Sequence, residues 1–128
     1  MQKRTSIYSK GFSHKNPIPN ACRIGNIIAS GLVVGMDPAT GKPAETMEEQ
    51  CAYLFRYIRE IVEESGGTTE DIIKITLWLK DRDNRGPVNT EWAKMFPDEN
   101  NRPARQAMSA PDLEGGKLIQ ADFMAVVG

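Results

Sequence analysis

Arg105 is the residue whose setting departs most from its type. It stands within Pro103-Ala104-Arg105-Gln106-Ala107-Met108, a small and apolar stretch that reads as a strand rather than a charged surface. A guanidinium there offers a planar fork that holds a carboxylate through two parallel hydrogen bonds. From composition alone, an internal ion pair with Asp122 or another carboxylate accounts for it equally well. His14, the single histidine, is the only base a serine or cysteine triad could use. It sits in a Pro- and Asn-rich N-terminal stretch, where a loop histidine is the simpler reading. Cys22 and Cys51 fall on a predicted strand and a predicted helix stripe, positions at which a thiol packs as a small hydrophobe. One histidine and no close cysteine pair cannot build the usual zinc spacings, and no metal is expected. No GxGxxG or P-loop pattern follows a strand, so nucleotide chemistry lacks its phosphate cradle.

The elements that must position these groups follow from periodicity. Residues 21–36 are apolar and β-prone with interior glycines, which reads as two strands or one strand kinked at Ser30-Gly31, followed by turn chemistry at Asp37-Pro38-Ala39-Thr40-Gly41. From Thr46 the period changes. Met47, Cys51, Leu54, Ile58 and Ile61 recur at spacings of three and four, with Phe55 and Val62 widening the stripe, which predicts an amphipathic helix of about five turns. Thr46-Met47-Glu48-Glu49 matches a capping box, and Ser65-Gly66-Gly67 supplies a left-handed stop. In the strand 72–80, Ile73, Ile75, Leu77 and Leu79 are expected on one face, with Ile72, Thr76 and Trp78 on the other. Pro87 suits the first turn of a second helix carrying Val88, Trp92 and Met95. Segments 103–110 and 117–127 close the chain as a hairpin or a crossover pair. The order is β-β-α-β-α-β-β, preceded by a short strand near Thr5 to Ser9.

A chain of 128 residues suits a single domain, 1–128, and leaves no room for two independent cores. Sixteen basic residues against seventeen acidic ones create no global field for phosphate backbones or anionic lipid, so neither nucleic acid nor a membrane is expected as a partner. The longest nearly apolar run, 27–36, falls well short of the roughly twenty residues of a spanning helix. The basic N-terminus lacks an apolar segment behind it, and the two cysteines read as free thiols; a cytoplasmic location is expected. In the last strand Ile119, Ala121, Phe123, Ala125 and Val127 form an apolar face. Gln120 and Asp122 share the opposite face with Met124 and Val126. Mixed second faces of this kind suggest burial against another subunit, with Gln120 and Asp122 at a wet or ligand-filled seam.

Taken in order, Gly25-Asn26, Ile27-Ile28-Ala29-Ser30-Gly31, Asp37-Pro38-Ala39-Thr40-Gly41, Gln50, Asp71-Ile72-Ile73-Lys74, Val88-Asn89, Pro103-Ala104-Arg105 and Ala125-Val126 resemble the Rid, or YjgF-type, family of enamine/imine deaminases. The resemblance runs from about residue 21 to the C-terminus. It implies an α+β, chorismate-mutase-like fold, a mixed sheet with two helices on one face, and a homotrimer with sites in clefts between subunits. It further implies a cofactor-free enzyme that hydrolyses small carboxylate-bearing enamines or imines to keto compounds and ammonia. Under it Arg105 matches the carboxylate-binding arginine, Ser30 and Gly31 line the same cleft, and Asn89 matches an asparagine of the second helix. Gln120 stands where imine-hydrolysing members have a water-activating glutamate, Ala107 replaces a common cysteine, and residues 16–20 lack a frequent tyrosine, which marks a divergent member. A neutral amide orients water but cannot take its proton. Asp122, on the same strand face, and His14, if the N-terminus folds over the cleft, are the candidate additional bases. Two other functions attach to such a chain: a non-catalytic sensor of a 2-oxo acid or amino acid, and an RNA-cleaving translation inhibitor, which the acidic pI near 5.9 disfavours.

Overall fold

A computed structural model describes residues 3–128. Strands β1 (Thr5–Ile7), β2 (Ala21–Ile24), β3 (Ile27–Ser30) and β4 (Val33–Val34) lead through a small hairpin, β5 (Met36–Asp37) and β6 (Lys42–Pro43), into helix α1 (Met47–Glu64). Strand β7 (Ile72–Leu79), helix α2 (Gly86–Met95) and strands β8 (Ala104–Ser109) and β9 (Ile119–Val126) complete the chain. The main sheet has the order β1-β2-β3-β9-β7-β8, with β4 continuing β3 along β9. Only β7 and β8 run parallel, joined by the α2 crossover. The last two strands are therefore a crossover pair and not a hairpin: β9 inserts antiparallel on the far side of β7.

Helix α1 forms where the sequence predicts it. Thr46 Oγ1 accepts the Glu49 N–H at 3.2 Å, and its hydroxyl donates to Glu49 Oε1 at 2.9 Å, so Glu49 meets the cap's side chain. Gly66, at φ +94°, turns the chain out of the helix, a conformation that disfavours any residue with a Cβ. The predicted stripe is buried throughout, against Ile28, Val33, Ile75, Leu77, Ile119, Ala121 and Phe123. Gly35 lets α1 lie this close: a Cβ there would sit 2.6 Å from the Cα of Gln50. Gln50 is itself fully buried, its amide donating to the carbonyls of Ala44 and Gly116 and accepting from Leu118 N–H. One side chain thereby ties the helix to the entry of β9.

One local departure from the predicted pattern is a bulge in β7, whereas the break expected at Ser30-Gly31 is present. The register of β7 on β9 shifts between Ile72 and Lys74, so Ile72 turns into the core and Ile73 turns out, 51% exposed. Strict alternation cannot anticipate a bulge, which reverses the faces on one side of it. A second irregularity separates β3 from β4. Ala29 pairs with Met124 and Val33 with Ala121, so three residues, 30–32, oppose two. Ser30 Oγ accepts the Phe123 N–H at 2.8 Å, repairing the interrupted ladder.

The helices cover one face of the sheet. On the other, Ile24 lies opposite Ile27, and Ile27 opposite Val126. All three are exposed, as are Ile73 and Met124, so large apolar side chains line the uncovered face. Among the described residues no helix is long and apolar enough to cross a membrane.

Candidate functional site

Arg105 lies on the edge strand β8, opposite Ile75, a fully buried core residue. Its side chain therefore leaves the sheet on the helix side, where α2 receives it. Arg105 Nη2 donates to Asn89 Oδ1 at 2.8 Å, and its guanidinium carbon lies 5.2 Å from the ring centroid of Trp92. Asn89 and Trp92 are three residues apart and share a helix face. They clamp the fork from one edge and one flat side. Arg105 takes part in neither ion pair found among the described residues. Partial burial lowers its pKa from the ordinary arginine value, and the positive charge of Arg85 lowers it further. The group stays cationic, because a guanidinium keeps its proton in proteins. A half-buried cation held by a neutral amide beside a second cation has the chemistry to attract an anion.

The Arg105–Asp122 ion pair does not form. Asp122 lies opposite Thr76, and Gln120 opposite Trp78; both are half-buried on the uncovered face of the sheet. Asp122 Oδ2 accepts the indole N–H of Trp78 at 3.2 Å. The sheet itself stands between this pair and Arg105. Ser30 and Gly31 lie at the bulge facing residues 122–123. There the Ser30 hydroxyl donates to the Gly31 carbonyl at 2.9 Å, and Gly31 N–H donates to Asn20 O at 2.9 Å. Within one chain the structure thus brings Arg105 to Asn89 but not to Gln120, Asp122 or Ser30.

His14 is not over this site. Its segment passes along α1 on the Tyr57 side, where Phe12 stacks on Tyr57, whereas α2 packs against the opposite flank through Ala52, Phe55 and Arg59. Cys51 is fully buried. Burial first, then the charges of Glu91 and Glu48, push its thiol up to about 12, so it is no nucleophile. Among the described residues no cluster of three metal-binding side chains occurs.

Sequence reasoning missed three members of these surroundings. Trp92 read as core, although its spacing from Asn89 places both on one helix face. Trp78 read as interface alone, and Arg85, in the turn before α2, carries no sequence signal. Against known proteins, residues 8–127 match the endoribonuclease L-PSP family. The chain belongs to the Rid family. It is 28% identical to a RutC family protein of Pyrococcus abyssi over 98% of both chains. It is 27% identical to the 2-iminobutanoate/2-iminopropanoate deaminase of Salmonella typhimurium over 86% of this chain and 87% of that one. The crystal structure of RidA from a Psychrobacter species superposes with a TM-score of 0.87 at 23% identity, covering 96% and 99% of the two chains. This Rid protein thus has the family's α+β architecture, a mixed sheet with two helices on one face.

Proposed function

We propose that this Rid protein hydrolyses small carboxylate-bearing imines, formed from enamines, to the corresponding 2-oxo acid and ammonia. In the reaction, water adds to the C=N carbon and the nitrogen leaves as ammonia, with no oxidation and no need for metal or organic cofactor. The protein has to hold the substrate and aim one water. Arg105, its fork held by Asn89 and Trp92, grips the carboxylate. Gln120 hydrogen-bonds the attacking water, and Asp122 is the nearest carboxylate on the same strand face. The backbone at Ser30-Gly31 borders the nitrogen. The observation that carries the reading is Arg105 itself, a clamped cation with no carboxylate partner of its own.

Because the sheet separates Arg105 from Gln120, the complete site takes Arg105 from one copy and Gln120 from another. A trimer that covers the row Ile24, Ile27, Val126 supplies that arrangement, and each interface then buries at least about 1,000 Å². Light scattering at micromolar concentration is expected to give three chains; a stable monomer contradicts the shared site. Ammonia release from a freshly generated 2-aminoacrylate-derived imine tests the chemistry, with Arg105→Ala as the inactive control. Saturable binding of 2-oxo acids without turnover instead favours a sensor, for which Gln120 in the glutamate position already argues. RNA cleavage that survives Arg105→Ala favours the third activity.

A further inference from the structure

On the flank of α1 away from Arg105, a solvent-open cavity of about 590 Å³ is bordered by 12–15, Val34, Met36, the β5–β6 hairpin and the loop before β9. That volume falls in the range of small-ligand pockets. Its lining divides cleanly. Phe12, Val34, Met36 and Pro43 are apolar, whereas Lys15, Lys42, Lys117 and His14 bring three cations and one titratable ring. No carboxylate lines it. The nearest acid on the hairpin, Asp37, lies opposite Lys42, but its Oδ1 accepts the Ala39 N–H. Glu114 precedes the loop's Gly115 without reaching the wall. None of the three lysines joins an ion pair found among the described residues.

His14 adds an independent signal. Its ring meets Phe12 edge-on at 5.0 Å, and its Nε2 is buried with no hydrogen-bond partner. A native fold rarely leaves such a nitrogen unserved. Three ammonium groups border one cavity with no carboxylate among them, a charge arrangement that favours an anion. We propose that this cavity binds a small, multiply charged anion, a phosphate or polycarboxylate whose apolar part rests on Phe12, Val34 and Met36 while its charges meet Lys15, Lys42 and Lys117 beside the His14 ring. Burial lowers the His14 pKa; an anion bound beside it favours the imidazolium and raises it again.

Since His14 is the only histidine, its imidazole proton resonance reports on the cavity without assignment. Inorganic phosphate and, separately, citrate are titrated into the full chain at fixed ionic strength. At least one is expected to shift that resonance saturably and move the His14 titration to higher pH. A response to phosphate alone identifies a phosphate site, and one to citrate alone a polycarboxylate site. Lys42→Gln and Lys117→Gln are each expected to weaken binding about tenfold, the loss of one charge-assisted contact. Both are surface changes, and Lys15→Gln serves as a third should either disturb the fold. Arg105→Ala is expected to leave the affinity unchanged, which keeps this site separable from the proposed imine site. The proposal fails if neither probe exceeds sodium chloride at matched ionic strength. It fails equally if the lysine variants bind as before, or if Arg105→Ala abolishes the response.

Discussion

Arg105→Lys separates a ligand-binding arginine from a structural one. In the folded chain one N–H of the guanidinium is committed to Asn89 Oδ1 at 2.8 Å, and one flat side lies over Trp92. The remaining edge is free to make two parallel bonds to a carboxylate. A lysine keeps the charge but is a point donor: it satisfies Asn89 or the ligand well, not both in the same plane. The variant therefore loses about one charge-assisted hydrogen bond to the ligand, some 1.5–3 kcal/mol, which corresponds to a roughly 10–150-fold weaker Kd. The fold loses far less. The lost cation–π contact at a half-exposed site is worth about 0.5–1 kcal/mol, and the β8 ladder is untouched, so Tm falls by only a few degrees. Calorimetric titration with pyruvate, beside thermal unfolding followed by circular dichroism, measures both quantities on one sample. If affinity is unchanged while Tm collapses, Arg105 is a scaffold residue and the anion-site reasoning is wrong.

Gln120→Glu is expected to raise imine hydrolysis by about 10²-fold, the lower end of general-base assistance, because the new carboxylate shares its strand face with Asp122 and repulsion blunts the gain; an ammonia-release assay showing slower turnover would mean that the glutamine serves a different substrate or water geometry and would refute the reading that the missing carboxylate limits hydrolysis. Gly35→Ala should destabilise the fold by about 1–3 kcal/mol, read as a lower urea midpoint, since its methyl group meets the backbone of Gln50 rather than a movable side chain. An unchanged midpoint would mean that α1 shifts freely. The buried Cys51 should resist alkylation in the native protein and react after unfolding, as peptide mass mapping will show. Its raised thiol pKa also means that the unfolded chain releases a proton near the ordinary thiol value while the folded chain retains it. Stability is therefore expected to fall as pH rises above about 8.5, with a smaller slope in Cys51→Val.

Much of the architecture was legible without coordinates because burial writes a period into the sequence. The spacing of Met47, Cys51, Leu54, Ile58 and Ile61 determined α1, and the alternation from Ile119 to Ala125 determined which face of β9 packs under it. Arg105 likewise declared itself by chemistry, a charged fork among small residues. Periodicity says nothing about where a strand skips a residue, so the exchange of Ile72 for Ile73 in the core came only from the bulge against β9. Nor does it say which strands become neighbours. The insertion of β9 beside β7, antiparallel, placed Asp122 under Trp78 and on the opposite side of the sheet from Arg105, and so decided that the two do not pair. Local sequence fixes which face a side chain takes, since that depends on a few consecutive residues. The partners it meets depend on long-range pairing, and these set Arg105 against Asn89 and Trp92 and gathered His14 with three lysines drawn from distant parts of the chain.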